Sequence, residues 1–351
     1  METLRKKKPV IVALLVAAIA TLQFVSDDAT APGAGKPPPP PLDATSGGAE
    51  DTWAVIVSTS RFWQNYRHSA NALAVYWAAR RSGIPDDRIV LMLAEDHACD
   101  ARNPFPGTIF STEHLDPSLY CASVGIDYSG DEVTATSFLR VLTGHTHPDV
   151  SREQQIFPTA ASNVLVYITG HSGENFMKFH DYEFLTSYDV AQAFDRMHAA
   201  GRYRRLLFLV DTCQAETLWA HVRAPNVVAV GSSVAGEDSL SSFERTNKRM
   251  GVSQVDGFAS ELSLKFFAYP NETIDVPGPE GGNWGALYTP PPRGLTLGAW
   301  VRGFDIARVK SHVCSSHPLD GPVGTGWLLR DFFGPGAAAV AAAAADRRPA
   351  P

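Results

Sequence analysis

The chain has 351 residues, of which 44 % are hydrophobic and 19 % are charged, enough to bury a sizeable core in one large domain or two small ones. The formal net charge is −7 and no polybasic block follows the first ten residues, so no nucleic-acid partner is expected. Four cysteines are too few for a disulfide scaffold.

Residues 1–25 have the pattern of a targeting segment. Basic residues at positions 5–8 precede an apolar run from Val10 to Val25, and two aspartates follow. This order is typical of a secretory signal peptide, and the run is shorter than the roughly 20 residues that span a bilayer. We expect a signal peptide, or a signal anchor if the segment stays uncleaved, with the rest of the chain in an oxidising compartment.

Two further stretches lack the apolar period of a folded domain. Residues 26–50 are rich in proline and glycine and are predicted to be a linker. Residues 335–351 consist mainly of alanine and proline and are predicted to be a disordered tail. The folded domain is therefore expected between them, over residues 51–334.

Strand and helix patterns alternate within this domain. The predicted strands are 53–59, 89–93, 163–169, 206–210 and 227–230, and the predicted helices are 70–82, 133–142, 188–198 and 258–269. Near-continuous apolar strands separated by helices indicate an α/β protein in which a mostly parallel sheet is covered by helices on both faces. Ligands of such sheets bind beyond the carboxyl ends of the strands.

Two of the predicted strands end in residues with complementary chemistry. Strand 163–169 runs into the sequence GHSG, which contains His171, and strand 206–210 runs into DTCQ, which contains Cys213. The 42 positions that separate the two residues accommodate one crossover helix, and adjacent parallel strands lie roughly 4.8 Å apart. We therefore predict that the two side chains share one crevice at the edge of the sheet.

A histidine beside a cysteine can perform nucleophilic catalysis. The imidazole can take the thiol proton and later protonate a leaving amine, while nearby glycines let backbone N–H groups approach an oxyanion. Either residue alone is more often inert, because cysteines are commonly buried in cores and a histidine after a strand is usually a loop residue. The pair at successive strand ends favours function.

Eight ordered segments carry a family resemblance. They are TSRFWQNYRH (59–68), GIPD (83–86), IVLMLA (89–94), RVLTG (140–144), YITGH (167–171), DTCQ (211–214), GEDSLS (236–241) and DFFG (331–334). Together they resemble the catalytic subunits of GPI-anchor transamidase, a family of legumain-related cysteine peptidases. The resemblance covers residues 51–334 and implies a three-layer, caspase-like fold for a catalytic domain over this range.

The resemblance also implies roles for individual residues. His171 would be the general base, Cys213 the nucleophile, and Asn65 would orient the histidine. The backbone N–H groups of Ser172 and Cys213 would stabilise the oxyanion. The residues that would line the pocket for the residue at the cleavage site are Arg67, Asp211, Ser232 and Ser233.

The implied reaction is a transamidation. Cys213 would attack the carbonyl at the attachment site of a precursor, release its C-terminal GPI signal peptide, and pass the acyl group from a thioester to the ethanolamine amine of a preformed GPI lipid. No organic cofactor is expected. The partners implied are the other subunits of the complex, in the endoplasmic reticulum lumen, which would hold this chain at the membrane unless an uncleaved N-terminal segment does so.

Several positions depart from the family pattern. Ser172, Asn175 and Ala215 replace usual glycines; Ser172 is acceptable where the backbone needs no positive φ, and Asn tolerates the left-handed region. Family members also bind calcium, for which Asp86, the Ile89 carbonyl and Asp127 occupy matching positions. Gly125 replaces a usual glutamate, so a possible structural calcium would lose one oxygen ligand.

Cys99 matches a cysteine that pairs with a partner subunit in the family. The sequence equally permits a disulfide between Cys99 and Cys121 within the chain. No role is implied for Cys314, which is expected to be a buried thiol. Asn271 begins the single N-x-S/T sequence.

Two other functions remain open. A legumain-type asparaginyl endopeptidase would use the same nucleophile with water as the acceptor, but legumains typically carry a long C-terminal autoinhibitory region, and the DFFG segment resembles the transamidases. The second alternative is a non-catalytic caspase-fold binding module in which His171 and Cys213 have no chemical role.

Overall fold

The computed structural model describes residues 51–111, 118–120, 124–242, 246–267, 294–319 and 326–333. The predicted targeting segment, linker and C-terminal tail lie outside these residues, as do Cys121 and Asn271. No helix in the described ranges is long and apolar enough to cross a membrane.

A seven-stranded sheet forms the centre of the described residues. Its strands are β1 (Thr52–Ser58), β2 (Ile89–Leu93), β3 (Tyr128–Ser129), β4 (Asn163–Thr169), β8 (Arg205–Asp211), β9 (Val227–Gly231) and β12 (Cys314–Ser315). They pair in the order β12-β9-β8-β4-β1-β2-β3, and every pair is parallel except β12 with β9. The predicted, mostly parallel sheet is confirmed.

Helices cover both faces of this sheet. They are α1 (Tyr66–Arg81), α2 (Ala135–Thr143), α3 (Ser187–Ala199), α4 (Gly257–Phe267), α5 (Leu297–Arg302) and α6 (Ile306–Val309). Because successive strand residues point to opposite faces, Ile56 and Tyr167 pack in the core with α1 and α4, whereas Val55 and Val166 pack with α2 and α3. The predicted three-layer arrangement is confirmed.

Local sequence signals explain where the helices begin and end. Thr134 accepts a hydrogen bond from the Ser137 N–H at the start of α2, and Gly144 ends this helix with a left-handed φ of 74°. Helix α1 begins at Tyr66, four residues before the predicted start, because a 3-10 helix over Trp63–Asn65 leads directly into it. The side chain of Asn65 is thereby held at the edge of the sheet.

A second sheet, which the sequence did not predict, follows β4. It is antiparallel and consists of β5 (Ser172–Gly173), β6 (Phe176–Phe179) and β7 (Glu183–Thr186). Its inner residues Met177 and Leu185 are buried in the core with α2 and α3. Its strands are too short for a reliable alternation pattern, which is why periodicity misses it. A separate hairpin pairs β10 (Thr246–Asn247) with β11 (Val252–Ser253).

Candidate active site

The loops that carry His171 and Cys213 leave the central sheet side by side. Strands β4 and β8 are adjacent, and their register pairs Thr169 with Asp211. His171 and Cys213 each lie two residues beyond this pair. The Thr212 hydroxyl bonds the Gly170 carbonyl at 2.8 Å, so the two loops are joined immediately beyond the sheet.

Asn65 determines which nitrogen of His171 is protonated. The Asn65 Nδ2 donates to the Arg61 carbonyl at 2.7 Å, so the Asn65 Oδ1 is the atom that lies 2.9 Å from the His171 Nε2. An amide oxygen only accepts, and Nε2 therefore carries the hydrogen. The neutral ring then keeps its lone pair on Nδ1, which is the nitrogen left to take a proton.

Two backbone features shape the histidine and cysteine loops. Gly170 packs so closely on the segment that follows β1 that a Cβ at this position would collide with the Thr59 hydroxyl. Gln214 has a φ of 49°, in the left-handed region that few side chains adopt. The chain thus turns sharply directly after Cys213, and among the described residues the Cys213 N–H donates to no acceptor.

The surroundings of His171 favour its neutral form. Burial has the largest effect and lowers the pKa of this half-buried imidazole. The positive charge of Arg67 lowers the pKa further, whereas the negative charge of Asp256 raises it. The ring of His68 meets the His171 ring nearly at right angles, with centroids 5.0 Å apart. His68 is 2 % exposed, and burial holds its pKa well below the usual range, so an uncharged ring packs against His171.

Cys213 is correspondingly a protonated thiol. Burial raises the pKa of this half-buried group, and the negative charges of Asp238 and Asp256 raise it as well, against a lowering contact with the Ser239 backbone. Its sulfur lies 4.0 Å from the Ser239 carbonyl oxygen. A neutral thiol and a neutral imidazole can perform general-base catalysis, in which the proton moves as the sulfur attacks.

Asp256 joins this site although the sequence did not indicate it. Its carboxylate accepts hydrogen bonds from the Arg67 Nε at 2.9 Å and from the Asn71 Nδ2 at 2.6 Å. The Asp256 N–H in turn donates to the Asn71 Oδ1 at 3.1 Å. Asp256 immediately precedes α4 rather than a strand end, so no strand pattern places it here. His68 was equally missed, although it ends the NYRH segment.

The structure distributes the four predicted pocket residues over two environments. Arg67 is partly exposed beside the site, and its contact with substrate stays a prediction. Asp211 is buried, accepts a hydrogen bond from the Tyr167 hydroxyl at 3.1 Å, and has a raised pKa because of burial and the charge of Asp256.

Ser232 and Ser233 are fully buried beneath the cysteine loop. Both hydroxyls donate to the Thr212 carbonyl, at 3.0 and 2.8 Å, and the Ser233 hydroxyl also accepts from the Ala215 N–H at 3.1 Å. These contacts hold the backbone on either side of Cys213. That the two serines also line a substrate pocket stays a prediction.

The three positions that depart from the usual glycines are compatible with the backbone here. Ser172 does not have a positive φ, so a residue other than glycine fits this position without strain. Asn175 has a φ of 64° and forms the turn between β5 and β6. Ala215 is buried in the core with α2 and α3.

The residues predicted to bind calcium form an incomplete site. The Asp86 Oδ1 accepts from the Tyr76 hydroxyl at 2.7 Å, and the Asp127 Oδ2 accepts from the Leu91 N–H at 2.8 Å. No group of three or more His, Cys, Asp or Glu side chains in the described part of the chain could hold a metal. Two carboxylates and one carbonyl do not fit the six to eight oxygens that calcium takes. Calcium binding stays a prediction.

The remaining described cysteines differ in accessibility. Cys99 is exposed and has a free thiol within the described ranges. Cys314 is half-buried, its sulfur lies 3.3 Å from the Ser233 carbonyl oxygen, and burial raises its pKa to about 12. A reagent or partner can therefore reach Cys99 more easily than Cys314.

A cysteine and a histidine at neighbouring strand ends, with an asparagine on the histidine, are the arrangement of a cysteine peptidase. The model of the Peptidase C13 family matches residues 52–269, and the chain belongs to this family. The family relationship predicted from the motifs is confirmed.

Curated relatives share this region. The mouse protein named GPI-anchor transamidase is 43 % identical over 250 residues, which are 71 % of this chain and 62 % of the mouse protein. The human protein of that name is 46 % identical over 60 % of this chain and 53 % of its own length. The Saccharomyces cerevisiae protein of that name is 44 % identical over 59 % of this chain and 50 % of its own length. The matched region thus spans about half to three fifths of these relatives.

One solved structure with a similar trace is caspase-1 from Spodoptera frugiperda. It is 11 % identical, with a TM-score of 0.32, and the match covers 67 % of this chain and 79 % of that one. This score is too low to carry an argument about the fold, which is established by the strand order and the two helical layers described above.

Proposed function

We propose that this chain is the catalytic subunit of a GPI-anchor transamidase, with Cys213 as its nucleophile. One observation carries the proposal: β4 and β8 bring the His171 and Cys213 loops together, and Asn65 leaves the His171 Nδ1 free to act as a base. The chain is also 43 % identical to a mouse protein named GPI-anchor transamidase over 71 % of its length.

The first half of the proposed reaction forms a thioester. The His171 Nδ1 takes the proton of the Cys213 thiol as the sulfur attacks the carbonyl carbon at the attachment site. The Cys213 N–H, with the Ser172 N–H, donates to the oxyanion. The tetrahedral intermediate collapses, the C–N bond breaks, and the His171 imidazolium protonates the leaving amine of the signal peptide.

The second half resolves the thioester. The ethanolamine amine of GPI attacks the same carbonyl, and the His171 Nδ1 accepts the proton that the amine loses. The C–S bond breaks, the proton returns to the sulfur, and the product is an amide. Because the Nε2–H stays bonded to the Asn65 Oδ1, the ring presents the same nitrogen to both halves.

The charges near the pair suit this sequence. Arg67 disfavours protonation of His171 in the resting state, whereas Asp256 stabilises the imidazolium that forms during attack. The Arg67–Asp256 ion pair is itself mostly buried, with side-chain exposures of 19 % and 7 %, so it acts in a medium that screens charges weakly.

The proposed setting is the endoplasmic reticulum lumen, at the membrane, within a complex that supplies precursor and GPI lipid. The exposed thiol of Cys99 supports a disulfide to a partner subunit, because a partner can reach it without rearrangement. The N-terminal apolar run supports entry into the secretory pathway.

The decisive experiment is complementation of cells that lack their own catalytic subunit. The full-length chain should restore GPI-anchored proteins to the cell surface, and Cys213→Ala and His171→Ala should not, at equal chain levels. Restoration by Cys213→Ala would refute catalysis by this thiol and would favour a binding module. Cleavage of an asparaginyl peptide by the purified chain alone, with no surface restoration, would instead favour a legumain-type endopeptidase.

A further inference from the structure

The hydroxyl of Ser172 connects the two loops that carry His171 and Cys213. Ser172 directly follows His171, and its hydroxyl donates to the Cys213 carbonyl oxygen. The Thr212 hydroxyl oxygen lies 2.8 Å from the same hydroxyl, but its single hydrogen is donated to the Gly170 carbonyl. A side chain of the histidine loop is therefore bonded to the backbone of Cys213 and packs against the side chain of Thr212.

These contacts lie beyond the last backbone pair between β4 and β8. The ladder between β4 and β8 ends with the pair Thr169 and Asp211, so beyond it only other contacts determine how far apart the loops stand. The Thr212 hydroxyl bonds the Gly170 carbonyl at 2.8 Å, one residue before His171. The Ser172 hydroxyl adds a second link, one residue after His171. His171 is thus bracketed by links to the cysteine loop.

We propose that Ser172 is a positioning residue whose hydroxyl clamps the cysteine loop against the histidine loop, and so holds the Cys213 sulfur within reach of the His171 Nδ1. This role is distinct from that of the Ser172 N–H, which any residue except proline supplies at this position. It rests on the proposed function only in that the clamped pair performs the transamidation.

The physical reason is the sensitivity of nucleophilic attack to geometry. Reacting groups must be held in near-attack positions, and a small displacement lowers the rate strongly. A glycine or alanine at position 172 removes the hydroxyl and leaves two described side-chain links between the segments, the Thr212–Gly170 bond and, four residues beyond His171 and Cys213, the bond from the Asn175 N–H to the Thr217 hydroxyl at 2.8 Å. Loss of one hydrogen bond of this kind is expected to lower the rate about fivefold.

The experiment uses membranes of cells that lack their own catalytic subunit and express the full-length chain. A tagged precursor is supplied, hydrazine replaces GPI as the amine acceptor, and the rate of hydrazide formation is measured against hydrazine concentration. The variants are Ser172→Ala, which removes the hydroxyl, and Ser172→Thr, which keeps it. Ser187→Ala is the matched control, because it removes a buried hydroxyl that contacts the His221 Nδ1 at 2.9 Å and the Asn175 Oδ1 at 3.4 Å, neither of which is bonded to Cys213 or Thr212.

We expect Ser172→Ala to lower the maximal rate about fivefold at an unchanged half-saturating hydrazine concentration, and Ser172→Thr, which keeps the hydroxyl, to recover most of that loss. Wild-type rates for Ser172→Ala, while Cys213→Ala is inactive, would overturn the clamp and leave the proposed function intact. Equal losses in Ser172→Ala and Ser172→Thr, or a loss matched by a fall in chain level, would overturn it too. Activity of Cys213→Ala would overturn both proposals.

Discussion

The Asn65 Oδ1 lies 2.9 Å from the His171 Nε2, although the two residues are 106 positions apart in the chain. The second amide atom, Nδ2, is held by the Arg61 carbonyl, so the amide cannot turn over without losing a hydrogen bond. This arrangement assigns one proton on the imidazole and leaves Nδ1 as the nitrogen that the proposed mechanism uses as the base.

Replacing Asn65 by alanine should therefore lower activity about 10- to 100-fold, as the loss of an orienting partner commonly does. The histidine would keep its place in the chain but lose the contact that holds its tautomer. The rate of hydrazide formation in membranes measures the effect. Asn65→Gln, which keeps an amide, is the conservative control, and wild-type activity in Asn65→Ala would contradict the assignment.

The raised pKa of Cys213 predicts a slow reaction with iodoacetamide at neutral pH. Because burial and the negative charges of Asp238 and Asp256 disfavour the thiolate, the rate at pH 7 should lie below that of an ordinary thiol such as glutathione. It should rise steadily with pH and should still be rising above about 8.5, where an ordinary thiol levels off. Mass spectrometry of the Cys213 peptide separates this thiol from the others.

His171→Ala should leave that neutral-pH alkylation rate nearly unchanged while abolishing activity. A rate plateau between pH 5 and 8 that disappears in His171→Ala would show a thiolate–imidazolium pair in the resting protein. The prediction of a neutral thiol and a neutral imidazole would then be wrong.

The lowered pKa of His171 predicts the acidic side of the pH–rate profile. Below its pKa the imidazole is protonated and cannot act as a base, so a lowered pKa keeps the enzyme active below the usual imidazole value of about 6.5. Arg67→Met removes a positive charge that disfavours the imidazolium. The acidic limb should consequently move to higher pH.

Each profile is normalised to its own maximum, because Arg67 is also predicted to contact substrate. Arg67→Lys retains the charge and should keep the acidic limb near that of wild type. A limb that stays in place in Arg67→Met would show that Arg67 does not influence the base.

Gly125 allows the calcium prediction to be tested by gain of function. A Cβ built on Gly125 lies 3.3 Å from the Asp86 Oδ2, so a glutamate there requires only a small shift of a flexible carboxylate. Gly125→Glu should lower the Tm in EDTA, because it adds a third acid near Asp86 and Asp127. Added calcium should raise the Tm of Gly125→Glu more than the Tm of wild type, because calcium binds the folded state.

Gly125→Gln is the matched control, since it has the same length without the charge. An identical response of the Glu and Gln variants to calcium would show that these carboxylates do not form a cation site.

The positions of the main strands could be predicted from the sequence, because they depend on local apolar pattern. Strands such as 163–169 and 206–210 are continuous apolar runs, and their burial on both faces is dictated by composition alone. Because parallel strands present their carboxyl ends at one edge, the loops that carry His171 and Cys213 could be placed side by side without coordinates.

Other features depended on the tertiary structure, because they rest on contacts between residues far apart in the chain. Arg67 and Asp256 are 189 positions apart, and Asn71 and Asp256 are 185 apart, so no sequence period relates them. The inward direction of Ser232 and Ser233, and the bond from the Ser172 hydroxyl to Cys213, likewise depend on how β8, β9 and the histidine loop pack. Local pattern determined where the strands end, and three-dimensional packing decided which polar groups meet there.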